Sequence, residues 1–386
     1  MRAAAEFMAF LDSFTAAAIF VASCETELRA EWLAVVVVDS LIGSLVDLRV
    51  KLLVDSLVFG FCAAFVEALP LVFCSFVICT TIVTMTDQRT QQAQNMYELL
   101  ASWWQESARD FPWRFGKTDA WGVLLSEVMS QQTPMTRVLP YWLNWMELWP
   151  TPADLAAASV AEVITAWGTL GYPRRALRLR ECAQAIVTEH GGTVPSTYGQ
   201  LVVLPGIGDY TASAVLSFSY HERIPVIDTN IRRVLSRAVV GEESFGGSVS
   251  AAERKTATQM LPSDREQSVV WNQAVMELGA AICTAKKPSC DDCPLRSSCA
   301  FAAAGWPRLG EKRTRPKQSF VGTNRHVRGL ILKALRTAPK HHLDYESVAK
   351  VWEDSVQLDL CIASLDEDGF IGNPAMIVSL PYSFLR

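Results

Sequence analysis

Four cysteines fall within seventeen residues, spaced as Cys283-x6-Cys290-x2-Cys293-x5-Cys299. Four thiolates on a short, loop-rich segment can wrap a [4Fe–4S] cluster, whose ligands must be deprotonated sulfur donors. A four-cysteine zinc site usually shows two CxxC pairs, and only one is present, so the cluster is the expected occupant and zinc the alternative. Lys286, Lys287 and Arg296 lie between the cysteines and offer positive charge to phosphates. The remaining cysteines (24, 62, 74, 79, 182 and 361) show no ligand spacing and read as apolar fillers. About seventy-five residues upstream stands Leu204-Pro205-Gly206-Ile207-Gly208-Asp209-Tyr210-Thr211-Ala212. Gly206 and Gly208, ahead of a helix, make a tight turn whose outward N–H groups can hold a DNA phosphate without reading sequence. Alone, such a GxG is more often just a turn; its place ahead of the cysteine loop strengthens it.

Together the two motifs resemble the helix–hairpin–helix base-excision glycosylases with an iron–sulfur cluster, the family of endonuclease III and the MutY-type adenine glycosylases. The resemblance runs from about residue 96 to residue 300. Arg109-Asp110-Phe111-Pro112-Trp113-Arg114 is similar to the family's opening segment, and Ser126-Glu127-Val128-Met129-Ser130-Gln131-Gln132-Thr133 to its catalytic helix. Val226-Ile227-Asp228-Thr229-Asn230 is similar to its catalytic aspartate loop.

Cleaving an adenine N-glycosidic bond needs a proton for a poor leaving group and stabilisation of a sugar cation. Glu127 is flanked by Leu124, Leu125, Val128 and Met129. Apolar surroundings disfavour the charged carboxylate and keep a proton available near neutral pH. The resemblance gives Glu127 the acid role on the adenine ring. It gives Asp228 the role of an anion facing the sugar, as paired carboxylates serve in glycosidases. A helix-surface glutamate and a plain N-cap ahead of Ile231–Val234 are the bland alternatives, and Asp228 can be both catalyst and cap. Asn230 is placed near the same sugar, with a turn residue as its alternative.

Strand-cleaving members carry a lysine in the hairpin that forms a Schiff base. Here that position is Tyr210, and a phenol forms no imine, so the resemblance implies a monofunctional glycosylase. Tyr210 also resembles a residue that hydrogen-bonds the catalytic aspartate; a tyrosine capping a helix edge is its alternative. By the same comparison Arg109, Trp113, Arg114 and Gln273 line the pocket of the flipped adenine, with Trp113 as a core tryptophan held open. Gln273 offers the donor and the acceptor that match adenine's edge. Gln131, Gln132 and Tyr172 look like wedge residues filling the gap left by the base, although Pro173 stands where many relatives carry a second tyrosine. The expectation is an enzyme that hydrolyses adenine from duplex DNA opposite 8-oxoguanine or guanine, leaving an abasic site. Its rivals are an endonuclease III-like pyrimidine glycosylase/lyase and a non-catalytic cluster-bearing damage sensor. A monomer acting in the cytoplasm on nucleoid DNA is expected, with no membrane unless the N-terminal extension is real.

Helical spacing of apolar residues runs over Met96–Ser107 and about Ala120–Gln132, then in short segments separated by Pro, Gly and Asp signals. Strand-like alternation is scarce before residue 370. The fold class expected is therefore all-α: a glycosylase core over 85–303, with a six-helix lobe at about 117–226 and a cluster lobe joining 96–116 to 227–300. A basic, Gly- and Pro-containing linker follows over 304–324. Residues 325–386 give three helices (about 326–337, 345–352 and 354–365) and a terminal hairpin, the order of a small winged-helix-like tail. The 86 residues after residue 300 are fewer than the Nudix-like domain with which well-known adenine glycosylases recognise 8-oxoguanine usually needs.

The chain has 386 residues, half of them hydrophobic, and a formal charge of −5. Residues 1–84 hold that whole excess, with four basic residues (Arg2, Arg29, Arg49, Lys51) against nine acidic ones, so the rest balances at 31 against 31. A neutral total does not exclude nucleic acid, since a local basic face is what matters. Such faces are offered by Arg174, Arg175, Arg178 and Arg180, by Arg232 and Arg233, and by the run from Arg308 to Lys317. Residues 56–66 and 68–85 are uncharged and interrupted only by Glu67. A reading frame extended beyond a true start at Met85, a membrane anchor and a buried helical extension compete to explain them. The abrupt change of composition at Met85 favours the first.

Overall fold

The computed structural model describes residues 89–311, 319–372 and 377–379. The chain divides between Thr84 and Met85, where the composition changes; residues 1–84 and the three readings of them lie outside the described residues. Among the described residues, no helix is long and apolar enough to cross a membrane.

Helix α1 covers 89–107 and so begins about two turns before the apolar repeat that announced it. There follow α2 (Ala120–Ser130), α3 (Met135–Leu148), α4 (Pro152–Ala157), α5 (Val160–Trp167), α6 (Arg174–His190), α7 (Tyr198–Val202) and α8 (Asp209–Tyr220). Then come α9 (Thr229–Leu235), extended by a π-helical turn at Ser236–Val240, α10 (Ala251–Met260), α11 (Arg265–Ala281) and the short α12 (Ala300–Ala303). Local chemistry sets many of these boundaries. Thr151 with Asp154, Ser159 with Glu162 and Ser250 with Glu253 close reciprocal capping boxes at α4, α5 and α10. Left-handed Gly191 ends α6.

Two apolar cores result. Residues from α2 through α8 build the first, around Trp121, Trp145 and Trp167. The second joins Met96, Leu100 and Trp104 of α1 to Ile231, Val234, Trp271 and Leu278 of α9 and α11. Helix α2 runs through the first core with every residue from Trp121 to Met129 buried; most are apolar, and Ser126 and Glu127 are the polar groups carried inside with them. Helix α8 packs along α2 and spans the seam: Ala212, Val215 and Leu216 face the first core, Ala214 the second. A chemical site on α2, α8 and the start of α9 therefore falls between the lobes.

The C-terminal part contains α13 (Asn324–Thr337), β1 (His342–Asp344), α14 (Tyr345–Ala349), α15 (Ser355–Glu367) and β2 (Ile377–Ser379). Gly372 and Ser379 exchange two backbone bonds of 2.7 and 3.0 Å, where the terminal hairpin was expected. One element adds to the expected order: β1 pairs antiparallel with β2, Leu343 opposite Val378. Three residues are too few for a period-2 signal, so the strand is set by its partner. Val327, Ile331, Leu332 and Leu335 of α13 join the first core, so the tail is packed onto that lobe.

Candidate active site

Glu127 sits on the inward face of α2 and is 6% exposed. The Tyr210 hydroxyl, on the first turn of α8, donates to Glu127 Oε2 at 2.5 Å. Burial dominates the carboxyl's titration and lifts it to about 7, with Asp228 adding repulsion while Tyr210 and Arg114 pull the other way. The sequence comparison had placed the Tyr210 hydroxyl on the aspartate; the structure places it on the glutamate. The reason is that Asp228 already has partners. As the N-cap of α9 it accepts from Ile231 N at 2.6 Å through Oδ1 and from Asn230 Nδ2 at 2.8 Å through Oδ2. Desolvation still raises its titration above the usual carboxylate range, against those hydrogen bonds and the Arg233 charge.

A second buried carboxylate belongs to the same region and escaped the sequence analysis. Glu277 on α11, 2% exposed, accepts from Arg109 Nε and from Arg109 Nη2 at 3.0 Å, and from Arg114 Nη2 at 2.8 Å. The two guanidinium groups hold its carboxyl below the usual range in spite of its burial. Arg114 is itself 5% exposed and lies over the rings of Trp104 and Phe111. Two arginines in one short aromatic segment called for a buried counter-charge, and Glu277 stands one helical turn after Gln273; those were the available signals. Trp113 is also buried, stacked on Phe111 at 4.8 Å with the rings nearly parallel and tilted against Trp142 at 5.5 Å. One indole face is thus covered by a neighbour. Gln273 is half-buried on α11.

A line of hydrogen bonds leads from Asp228 toward the cysteines. Asn230 donates to Asp228 and its Oδ1 accepts from Arg233 Nη2 at 3.0 Å. Arg233 Nε in turn donates to the carbonyl of Cys283 at 2.6 Å. Next to it Arg237, buried at the π-helical turn, donates to the carbonyls of Thr284 and Ala285 at 2.8 and 2.9 Å and approaches Cys283 Sγ at 3.5 Å. All four cysteines line one cavity, closed by Arg237, Ile282, Pro288, Phe301 and Trp306.

The hairpin needs its first glycine: at Gly206 φ is +79°, and an added Cβ would lie 2.8 Å from Arg178 Cβ. Gly208 caps α8 in extended backbone, exposed, with open space where a Cβ would be. At the other end of α2, Gln131 donates to Thr211 Oγ1 at 3.4 Å, and Gln132 is exposed with φ +56°. Tyr172 is likewise exposed, with φ +49°. Arg175 joins these two turns. Its Nη1 donates to the carbonyls of Val128, Met129 and Gln131, and its guanidinium lies over the Tyr172 ring. A cation on the last carbonyls of a helix is favourable.

Residues 125–255 match the HhH-GPD superfamily of base excision DNA repair proteins, and residues 283–299 the iron-sulfur binding domain of endonuclease III. The adenine DNA glycosylase of Mycobacterium tuberculosis is 44% identical over 272 residues, spanning 70% of this chain and 88% of the relative. The chain belongs to the adenine DNA glycosylase family. The relative from Mycolicibacterium smegmatis is 44% identical over 279 residues, 72% of this chain and 92% of its own length. The Homo sapiens adenine DNA glycosylase is 41% identical over 209 residues, 52% of this chain and 38% of that protein. Among solved structures, a thermostable thymine-DNA glycosylase shares the fold, with a TM-score of 0.50 and 24% identity, over 55% of this chain and 98% of its own.

Within this adenine DNA glycosylase family member, the iron–sulfur segment begins at Cys283 and ends at Cys299, and its cofactor is a [4Fe–4S] cluster. The donor chemistry fits. All four cysteines, the thiolate donors such a cluster needs, line one shared cavity. Replacing Cys293 by alanine is expected to bleach the cluster's visible absorbance in the purified enzyme and to lower iron content, with α12 and the 283–299 loop losing protection in hydrogen exchange. Parent-like iron content in that variant would remove Cys293 from the ligand set. Of the residues selected from sequence, the fold gathers Glu127, Asp228, Tyr210 and Asn230 at the lobe seam, and Arg109 and Arg114 on Glu277. Gln131 and Tyr172 meet through Arg175 at the C-terminal end of α2, with Gln132 exposed in the same turn, and the hairpin glycines stand before α8.

Proposed function

We propose that the enzyme hydrolyses adenine from duplex DNA opposite 8-oxoguanine or guanine and leaves an abasic site. The observation that carries this reading is Glu127: a carboxyl buried in the wall of α2, titrating at about 7, with a second carboxylate, Asp228, close enough to perturb it. In the assignment, Glu127 passes its proton to a ring nitrogen of the extruded adenine. The glycosidic C–N bond breaks and its electron pair leaves with the base. Asp228, an anion at the N-cap of α9, stabilises the sugar cation until water adds to the anomeric carbon; the proton that water loses restores the Glu127 carboxyl, directly or through solvent. Tyr210 orients the Glu127 carboxyl, and the absence of an amine at that position supports hydrolysis without strand cleavage. Arg109, Trp113, Arg114, Gln273 and Asn230 are assigned to the base and sugar pocket, Gln131, Gln132 and Tyr172 to the wedge, and Gly206 and Gly208 to a phosphate. Cys283, Cys290, Cys293 and Cys299 are assigned as the cluster ligands. Held by these four thiolates, a cluster would cross-link the 283–299 loop, on which Lys286, Lys287 and Arg296 would offer positive charge to phosphates. The enzyme is read as a monomer acting on nucleoid DNA.

Single-turnover base release across A:8-oxoguanine, A:G, A:C and A:T duplexes tests the reading. Release confined to the first two supports it, and release of a pyrimidine instead would overturn it. The pH dependence has a fixed sign. Release rises on the acid side as Asp228 ionises, above the ordinary carboxylate range, and falls about tenfold per unit above about pH 7 as Glu127 loses its proton. A rate flat from pH 7 to 9 would remove Glu127 as the acid.

A further inference from the structure

The tail packs against one particular stretch of the core. Asp368, at the end of α15, receives Arg328 Nη2 from α13 at 2.6 Å and Arg174 Nη2, from the first residue of α6. Arg174 directly follows Gly171-Tyr172-Pro173, in which Gly171 and Tyr172 both hold positive φ. The same loop is gripped at its start. The Tyr141 hydroxyl bonds Thr169 Oγ1 at 2.9 Å, its ring would meet a Cβ at Gly168 at 3.1 Å, and Arg137 donates to the Thr169 carbonyl. Arg336 of α13, half-buried, lies near Tyr141. The tail therefore meets one end of the 168–173 segment directly, at Arg174, and lies beside Tyr141, which grips the other end. A tyrosine held in the left-handed region persists only where surrounding contacts over-determine it. The helices α14 and α15 are also poorly suited to touching DNA directly. Within residues 345–367, Glu346, Glu353, Asp354, Asp359, Asp366 and Glu367 stand against one cation, Lys350, and phosphates would be repelled.

We propose that the C-terminal unit is a brace for base extrusion, with Asp368 and Arg336 as positioning residues that hold the Gly168–Pro173 loop so that Tyr172 enters the duplex. The proposal rests on the wedge assignment of Tyr172 made above. Through Arg175, which bonds the Gly171 carbonyl and three atoms at the end of α2, the brace also steadies the helix carrying Glu127.

The test reads extrusion apart from general DNA binding. A duplex with 2-aminopurine in place of the target adenine, opposite 8-oxoguanine, brightens when that base leaves the stack. In a Glu127→Gln background, which holds the flipped base, the pair Asp368→Ala and Arg336→Gln is expected to lower the fluorescence rise about fivefold. Affinity for an undamaged duplex should stay within twofold, and Asp368→Glu should give nearly the parent signal. Parent-like brightening in the double variant overturns the brace. So does an equal loss of undamaged-duplex affinity, which would make the tail a general DNA contact. No brightening with the Glu127→Gln parent overturns instead the functional reading on which the brace rests.

Discussion

Replacing Glu127 by glutamine is expected to abolish base release and to spare duplex binding. Glutamine keeps the shape and can still accept the Tyr210 hydroxyl, but it has no proton to give at pH 7. A positioned general acid is worth on the order of 10² to 10⁴ in rate. Because adenine is a poor leaving group, the loss should lie at the upper end, a fall of about 10³ or more in single-turnover excision from an A:8-oxoguanine duplex. The variant should be no less stable than its parent, since a carboxyl lifted to about 7 by burial disfavours the folded state once ionised. The sign is definite. Protonated Glu127 favours folding fully below its unfolded pKa, near 4.5, and that contribution is lost as pH rises through about 7. Above pH 7 the neutral amide escapes the cost. Full excision activity in the variant would refute the assigned acid; lost duplex affinity would mean that the substitution had disturbed more than proton transfer.

Glu277→Ala is expected to have the largest effect on stability. Its carboxylate is 2% exposed and balances Arg114, whose side chain is 6% exposed. Removing one partner of a buried pair leaves an uncompensated charge and costs about 3–5 kcal/mol. For a core of this size that corresponds to roughly 10 °C in melting temperature. Arg109, 41% exposed, can turn to solvent, so Arg109→Ala should cost far less. Glu277→Ala should also be felt at the assigned acid, Glu127. Arg114 already draws the Glu127 titration downward. With its counter-ion gone that pull strengthens, and the alkaline limb of the pH–rate profile should move below pH 7. An unchanged melting temperature would show that the site relaxes or admits water, and an unmoved limb would separate the arginine cage from the acid.

Several features were legible because their information is contiguous. The cysteine spacing is a property of one seventeen-residue loop. Gly206 and Gly208 report a turn through backbone permissiveness alone, and Glu127 announced its burial through its apolar helical neighbours. The caps of α4, α5 and α10 are likewise local, since each uses residues three apart. Other features have no local trace. β1 exists because Ile377–Ser379 lies beside it, and nothing in His342–Asp344 requires it.

The amino-acid order alone therefore determined which residue types were available for acid catalysis, cluster binding and phosphate contact, and on which helices and turns they stood. Only the tertiary structure decided which of them share an electric field: that Tyr210 serves Glu127 rather than Asp228, that Glu277 neutralises Arg109 and Arg114 from across the chain, and that Asp368 reaches the loop of Tyr172. The physical reason is that periodicity and capping are set by neighbours a few residues apart. A buried charge instead takes whichever counter-charge the packing of two lobes and a tail brings within about 3 Å, and that choice leaves no periodic mark in sequence.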